Sequence, residues 1–360
     1  MSGFSERVLA AWRGNHLLSV MLELTYRCNL DCFFCYNDVA LRGRPLSTER
    51  YLQLFEELAE LQVLNLVLTG GEPLAHPDFL RLGRAARELG FVVRVKSNGH
   101  ALRGELARRL RDEVDPFLVE TSLHGACAAT HDRQTRVPGS FERLLANLAE
   151  MRHLGLRVKL NATLTAWNEG EIAEMYALAS DLGLPLAFDP EVTPRDDGSR
   201  EPLSIAPSRA GMRRLYELQM AGDPVGGEAV EIAPQGDGVV PAVGGGKHCG
   251  AGSSGLTIDP YGNVYPCVQW RRPAGNLHES TLQEIWTGSK ALAEVRELST
   301  AVATRLAQGG PGFALGGFCP GTAESVTGDP LAVYPAMEER RALLGELHAA
   351  RRSKALRILP

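Results

Sequence analysis

Cys28, Cys32 and Cys35 stand at CxxxCxxC spacing, and whatever this chain builds must close around them. They follow an apolar run, 17–24, that reads as a buried strand, so the thiols fall on the loop at its C-terminal end. Soft thiolates favour an iron–sulfur cluster or zinc. A structural zinc wants four ligands, and no fourth Cys or His lies close by. Three thiolates can bind three irons of a [4Fe–4S] cube and leave the last iron open to a substrate or cofactor. The bland alternative is three unlinked thiols on a loop.

Downstream, strand-like runs at 64–68, 91–96, 117–121, 157–163 and 185–188 alternate with helix-like runs at 48–61, 78–89, 102–111, 140–154 and 169–182. Ser47 and Ser140 are the expected N-caps, and Gly90, Gly155 and Gly183 the expected helix stops. Strands alternating with helices imply a parallel sheet, closed toward a barrel or open and doubly wound. In either, ligands sit at the C-terminal strand ends. Those ends carry Thr69-Gly70-Gly71-Glu72-Pro73, Lys96-Ser97-Asn98-Gly99 and Thr121-Ser122-Leu123-His124-Gly125, with His131, Asp132 and Arg136 beyond. The glycine pair lets backbone approach a ligand closely, and Glu72 offers an acceptor at the rim. His131 and Asp132 could instead cap a helix. On the fifth strand Lys159, Asn161 and Thr163 share one face, with Asn161 the preferred ligand contact. Cys127 has no cysteine neighbour and reads as a buried free thiol.

A second cysteine set follows a stretch rich in Gly, Pro and Asp, where 192–201 and 221–246 flank a helix at 208–220 and Gly244-Gly245-Gly246 marks a flexible connection. Cys249 and Cys267 bracket a strand, turn and strand, 256–265, whose hairpin would bring them to one metal; Cys319 comes later.

The motif set resembles the radical SAM superfamily, whose signature is this spacing with an aromatic, here Phe34, before the third cysteine. The resemblance implies a partial (β/α)6 TIM-type barrel with a smaller C-terminal SPASM/Twitch-like iron–sulfur domain. It implies that the open iron chelates S-adenosylmethionine, whose one-electron cleavage gives a hydrogen-abstracting 5′-deoxyadenosyl radical. Phe34 and Tyr36 then flank the cluster, Phe34 against the adenine. Gly70, Gly71, Glu72, Ser97, Asn98, Ser122, Arg136 and Asn161 become cofactor contacts. An Arg fork suits a carboxylate. His124 departs from the family's usual Asp and is a weak candidate for proton transfer, or a polar strand-end residue. A full SPASM domain has seven cysteines; here Cys249, Cys267 and Cys319 imply one auxiliary [4Fe–4S] cluster. Its fourth ligand could be His248, an Asp, water or a substrate atom. A Cys3His zinc site is the rival, with iron–sulfur preferred because of the barrel.

The resulting division is 1–16 helical segment, 17–200 barrel, 201–246 linker with helix, 247–335 auxiliary-cluster domain and 336–360 C-terminal helix, taken as a solvated charge-rich face. Relatives of this architecture mostly mature ribosomally made peptides, so a peptide substrate is expected, with a small-molecule dehydrogenase or cyclase as the alternative. An electron-transfer or sensing protein without turnover is the other class, disfavoured by the S-adenosylmethionine motifs. Only 27 residues precede Cys28, so any peptide-recognition domain is expected on a separate protein. Sulfatase-type maturases carry an Asp base where this chain has Val268. An external donor such as flavodoxin or ferredoxin is implied.

A net charge of −5 with no basic stripe speaks against nucleic acid. No apolar run is long enough to span a bilayer, and the N-terminus lacks a signal-peptide layout. Seven cysteines, odd in number, suit metal binding in a reducing cytoplasm.

Overall fold

A computed structural model describes residues 3–38, 40–221, 246–308 and 317–356. The Gly-rich run 222–245, with Gly244 and Gly245, lies outside the described residues.

Helix α1 (Gly3–Gly14) precedes β1 (Ser19–Glu23). Then come α2 (Thr48–Glu60), β2 (Asn65–Thr69), α3 (Phe79–Glu88), β3 (Val92–Lys96), α4 (Gly104–Arg109) and β4 (Leu118–Ser122). Two helices, α5 (Ala128–Thr135) and α6 (Ser140–His153), lead to β5 (Val158–Thr163), α7 (Ile172–Asp181), β6 (Leu186–Asp189) and α8 (Arg209–Ala221). The C-terminal part holds β7 (Gly255–Ile258), β8 (Asn263–Tyr265), β9 (Gly275–Asn276), α9 (Leu282–Gly288), α10 (Lys290–Gln308), α11 (Pro320–Thr327) and α12 (Pro335–Leu356).

The first six strands are parallel and lie side by side in chain order. A doubly wound sheet would reverse its strand order at a switch point. This one does not, so the fold is the partial barrel. Alternation then sorts each strand. Val20, Leu22, Leu66, Leu68, Val93 and Val95 are buried in the main core. The opposite parity faces the lumen. The registers Thr69 beyond Leu68↔Val95, Lys96↔Glu120, Glu120↔Lys159 and Ser122↔Asn161 place those polar side chains in shared rows.

Beyond β1 the sheet continues. β7 pairs parallel with β1, and β8 and β9 follow antiparallel, giving nine strands. The hairpin therefore extends the barrel sheet, a join that sequence reading missed.

Three local expectations change. Ser140 is not an N-cap: Gly139 takes that place with φ +74°, and the Asp132 carboxylate accepts from Gly139 N, Phe141 N and Ser140 Oγ instead. The helix expected at 102–111 runs on as a π-turn to Val114, ending at the left-handed Asp115. The C-terminal helix is not merely solvated. Met337, Leu343 and Leu347 form a buried stripe, and Arg340 pairs with Glu191 at 2.5 Å. Gly90, Gly155 and Gly183 all carry positive φ just after their helices, as expected of helix stops.

Candidate functional site

The cysteine loop is pinned from two sides. On one, Asp31 N and Phe33 N donate to Thr135 O and Gln134 O at the end of α5. On the other, Arg195 Nη1 and Nη2 donate to Cys35 O and Phe33 O at 3.1 and 3.0 Å, and Asp196 N donates to Tyr36 O at 2.8 Å. Burial raises the Cys32 thiol strongly, with smaller contributions in the same direction from Cys35 and Cys28.

The glycine pair lies against the backbone of residues 25–27. A Cβ on Gly71 would sit 2.7 Å from the carbonyl oxygens of Arg27 and Tyr26, and one on Gly70 would strike Thr25 O, with φ at +134°. Gly71 N donates to Thr25 O and Glu72 N to Arg27 O. The glycines thus let β2's end lie against the backbone entering the cysteine loop.

Glu72 is not on an open rim; it is 2% exposed. Its carboxylate accepts from Ser97 Oγ (2.9 Å), Asn98 N (2.8 Å) and Leu74 N (3.1 Å). Burial nonetheless pushes its pKa up to about 7. Asn98 Nδ2 donates to Asn29 Oδ1 and lies 3.7 Å from Cys28 Sγ. Glu72, Ser97 and Asn98 therefore form one unit that ties two strand ends to the cysteine loop.

Phe34 and His124 meet edge to face, ring centroids 4.7 Å apart. His124 is 5% exposed, and its Nδ1 is buried without a partner. Burial first, then His131 and His100, hold its pKa well below the usual range, so its ring is neutral. Tyr36 is deprived of ionisation chiefly by burial. Ser122 ends β4 half-buried. Arg136 adopts a left-handed conformation, stacks 4.6 Å over Phe33 and pairs with Asp31 at 3.3 Å. Asn161 Nδ2 donates to Glu120 Oε2 at 3.0 Å. Burial would raise Glu120, but Lys96, Arg94 and Lys159 together with Asn161 hold its pKa below the ordinary value. Arg94 lies 2.5 Å and Lys96 3.5 Å from that carboxylate. Cys127 is exposed rather than buried, because it is the N-cap residue of α5 beside Thr130 and Glu171.

The second trio comes from three segments. Cys249 lies before β7 with its N–H on Ser299 Oγ; Cys267 follows β8; Cys319 caps α11, its Sγ accepting from Thr322 N. Burial first, with Cys319 and Cys267 adding to it, pushes Cys249 up to about 12; Cys267 is pushed up to about 11, again mainly by burial. His248 Nε2 lies 2.6 Å from Phe318 O. A carbonyl only accepts, so Nε2 carries the hydrogen and Nδ1 the lone pair. Among the described residues no three His, Cys, Asp or Glu side chains converge as a single-ion site.

Sequence reading also missed the lumen cluster between the trios. Glu23, 0% exposed at the end of β1, takes two bonds from Arg271 at 2.6 and 2.9 Å and one from Tyr26 OH at 3.0 Å. Arg271 also reaches Asp196 at 3.0 Å. A lone Glu in an otherwise apolar strand was the available signal.

A model of the radical SAM superfamily matches residues 22–179, and a model of an iron–sulfur cluster-binding domain matches 249–307. Mycofactocin maturase MftC of Mycobacterium tuberculosis is 34% identical over 78% of this chain and 72% of its own. PqqA peptide cyclase of Ruegeria pomeroyi is 30% identical over 88% and 86%, and AdoMet-dependent heme synthase of Methanosarcina barkeri 28% over 76% and 83%. The solved structure of anSMEcpe with bound AdoMet shares the fold, with a TM-score of 0.68 at 18% identity over 95% of this chain and 100% of that one. No helix among the described residues is long and apolar enough to cross a membrane.

Proposed function

The chain belongs to the radical SAM superfamily, with an iron–sulfur cluster-binding domain C-terminal to the barrel, and from that premise we propose that it modifies a peptide by hydrogen abstraction. The observation carrying this reading is the 30% identity to a peptide cyclase across 88% of this chain. The family's cofactors are S-adenosylmethionine and a [4Fe–4S] cluster, which when bound supply a radical able to break a C–H bond.

The chain's residues take these roles. Cys28, Cys32 and Cys35 would hold the first cluster; one short loop supplies all three thiols, with Cys28 exposed and Cys32 and Cys35 half-buried, which leaves room for a metal ligand to reach them. Gly70, Gly71, Glu72, Ser97, Asn98, Ser122, Arg136 and Phe34 would hold S-adenosylmethionine when it binds. His124, neutral and with a free Nδ1, orients Phe34 and can accept one hydrogen bond. Cys249, Cys267 and Cys319 hold an auxiliary cluster. His248 suits its fourth place, since a ligating histidine usually donates its other N–H to a carbonyl, as Nε2 does to Phe318. Asn161, Lys96 and Glu120 line the lumen as a polar wall that orients substrate. A separate recognition protein, a flavodoxin or ferredoxin donor and a cytoplasmic setting complete the proposal; none of the seven cysteines is joined in a disulfide.

The identity to a heme synthase favours a second reading, a small-molecule substrate. Anaerobic reconstitution and deuterated peptides separate the two. The expected result is about eight irons per chain and deuterium in 5′-deoxyadenosine from a peptide encoded beside the gene. Transfer only from a tetrapyrrole precursor would favour the second reading.

A further inference from the structure

Three neighbouring strands place cations on one level of the lumen wall. The registers Lys96↔Glu120 and Glu120↔Lys159 set a lysine on either side of one carboxylate, across β3, β4 and β5. Residues in register on adjacent strands share a face. Arg94, two residues earlier on β3, shares that face one row deeper. Arg94 and Glu120 are both buried, and Arg94 Nη2 lies 2.5 Å from Glu120 Oε1, so each cancels the other's charge. Asn161 Nδ2 donates to Oε2 at 3.0 Å. Lys96 Nζ is 3.5 Å from that same oxygen, longer than a normal hydrogen bond, and its side chain is 35% exposed. Its ammonium carries three donors and a charge that Glu120, already paired with Arg94, does not cancel. Arg94 Nε is buried without a partner among the described residues. The cluster therefore has donors and positive charge in excess of acceptors, at the end of β3 beside Ser97 and Asn98. On β1 the balance is reversed, with Glu23 and Asp196 sharing Arg271.

We propose that Lys96 is a specificity-determining residue that binds a carboxylate of the substrate, on an acidic side chain or at the C-terminus of a peptide. This rests on the peptide reading above. A substrate carboxylate supplies the missing acceptor and the missing negative charge together. A neutral amide supplies only the acceptor, and in a setting of low dielectric the difference in charge counts for more than in water.

The test uses the reconstituted holoenzyme, S-adenosylmethionine and the deuterated peptide encoded beside the gene. The peptide is made in its native form, as the C-terminal amide, and with each Glu or Asp replaced in turn by Gln or Asn. Deuterium transfer into 5′-deoxyadenosine gives kcat/KM for each form. With the wild-type enzyme, one neutral form is expected to fall about 10- to 100-fold below the native peptide, mainly through KM. Which form falls separates a C-terminal carboxylate from a side-chain one. In Lys96→Gln that ratio is expected to collapse to near unity, and in Lys96→Arg to persist. The ratio compares two peptides on one protein, so general damage from the substitution cancels. No discrimination by the wild type, or full discrimination in Lys96→Gln, would overturn this inference and leave the peptide reading standing. No transfer from any form by the wild type would overturn the peptide reading, and this inference with it.

Discussion

The two cysteine trios are built in opposite ways. Cys28, Cys32 and Cys35 come from one loop whose backbone is anchored by Gln134, Thr135, Arg195 and Asp196. Cys249, Cys267 and Cys319 come from a strand entry, a hairpin exit and a helix cap, so a shared cluster would need β7 paired with β1 and α11 docked. The first site is a local object braced by the fold; the second is a product of the fold. The first should therefore tolerate loss of its braces better than the second tolerates loss of its tertiary frame.

Removing each trio gives the largest expected effects. Cys28→Ala/Cys32→Ala/Cys35→Ala should abolish 5′-deoxyadenosine formation, by at least about 10³-fold, while about four irons remain. Cys249→Ala/Cys267→Ala/Cys319→Ala should also halve the iron, yet retain measurable cleavage of S-adenosylmethionine while losing modified product. Equal loss of cleavage in both would break the comparison. Gly71→Ala comes next. Its Cβ meets backbone carbonyls that cannot move aside, so a loss of roughly 1–3 kcal/mol in chemical denaturation is expected, with first-cluster iron falling before second-cluster iron. The smallest effect concerns Glu72. Its folded pKa, about 7, lies above the ordinary carboxylate value. The folded state then holds the proton more tightly than the unfolded one, so stability should fall as pH rises from about 4.5 to about 7 and level off above. Glu72→Gln should flatten that slope in apoprotein melts; an unchanged slope would place the titration elsewhere.

What was legible in the chain follows the same divide. The six βα units could be read because side-chain period alone separates strand from helix, and the first trio because its spacing is contiguous. The β1–β7 pairing could not, since parallel register between Ser19 and Gly255 leaves no local trace. The glycine pair was legible as a close approach but not as an approach to residues 25–27. Glu72 was visible as a motif, but its burial depends on Ser97 and Asn98 from the next strand. Arg195 and Arg271 look like surface cations in sequence; only the fold turns them inward. Cys127 was misjudged because free cysteine is usually buried, and only its place at a helix start explains its exposure.

The place of β1 between β2 and β7 has a further consequence for how the chain can be handled. A fragment cut before residue 246 would bare the β1 edge, with Val20 and Leu22 beside unpaired amides and carbonyls. Such an edge recruits strands from other molecules. The two halves are better regarded as one cooperative unit than as modules to be swapped or expressed apart, and a fragment of the first half should be sought in inclusion bodies rather than in solution.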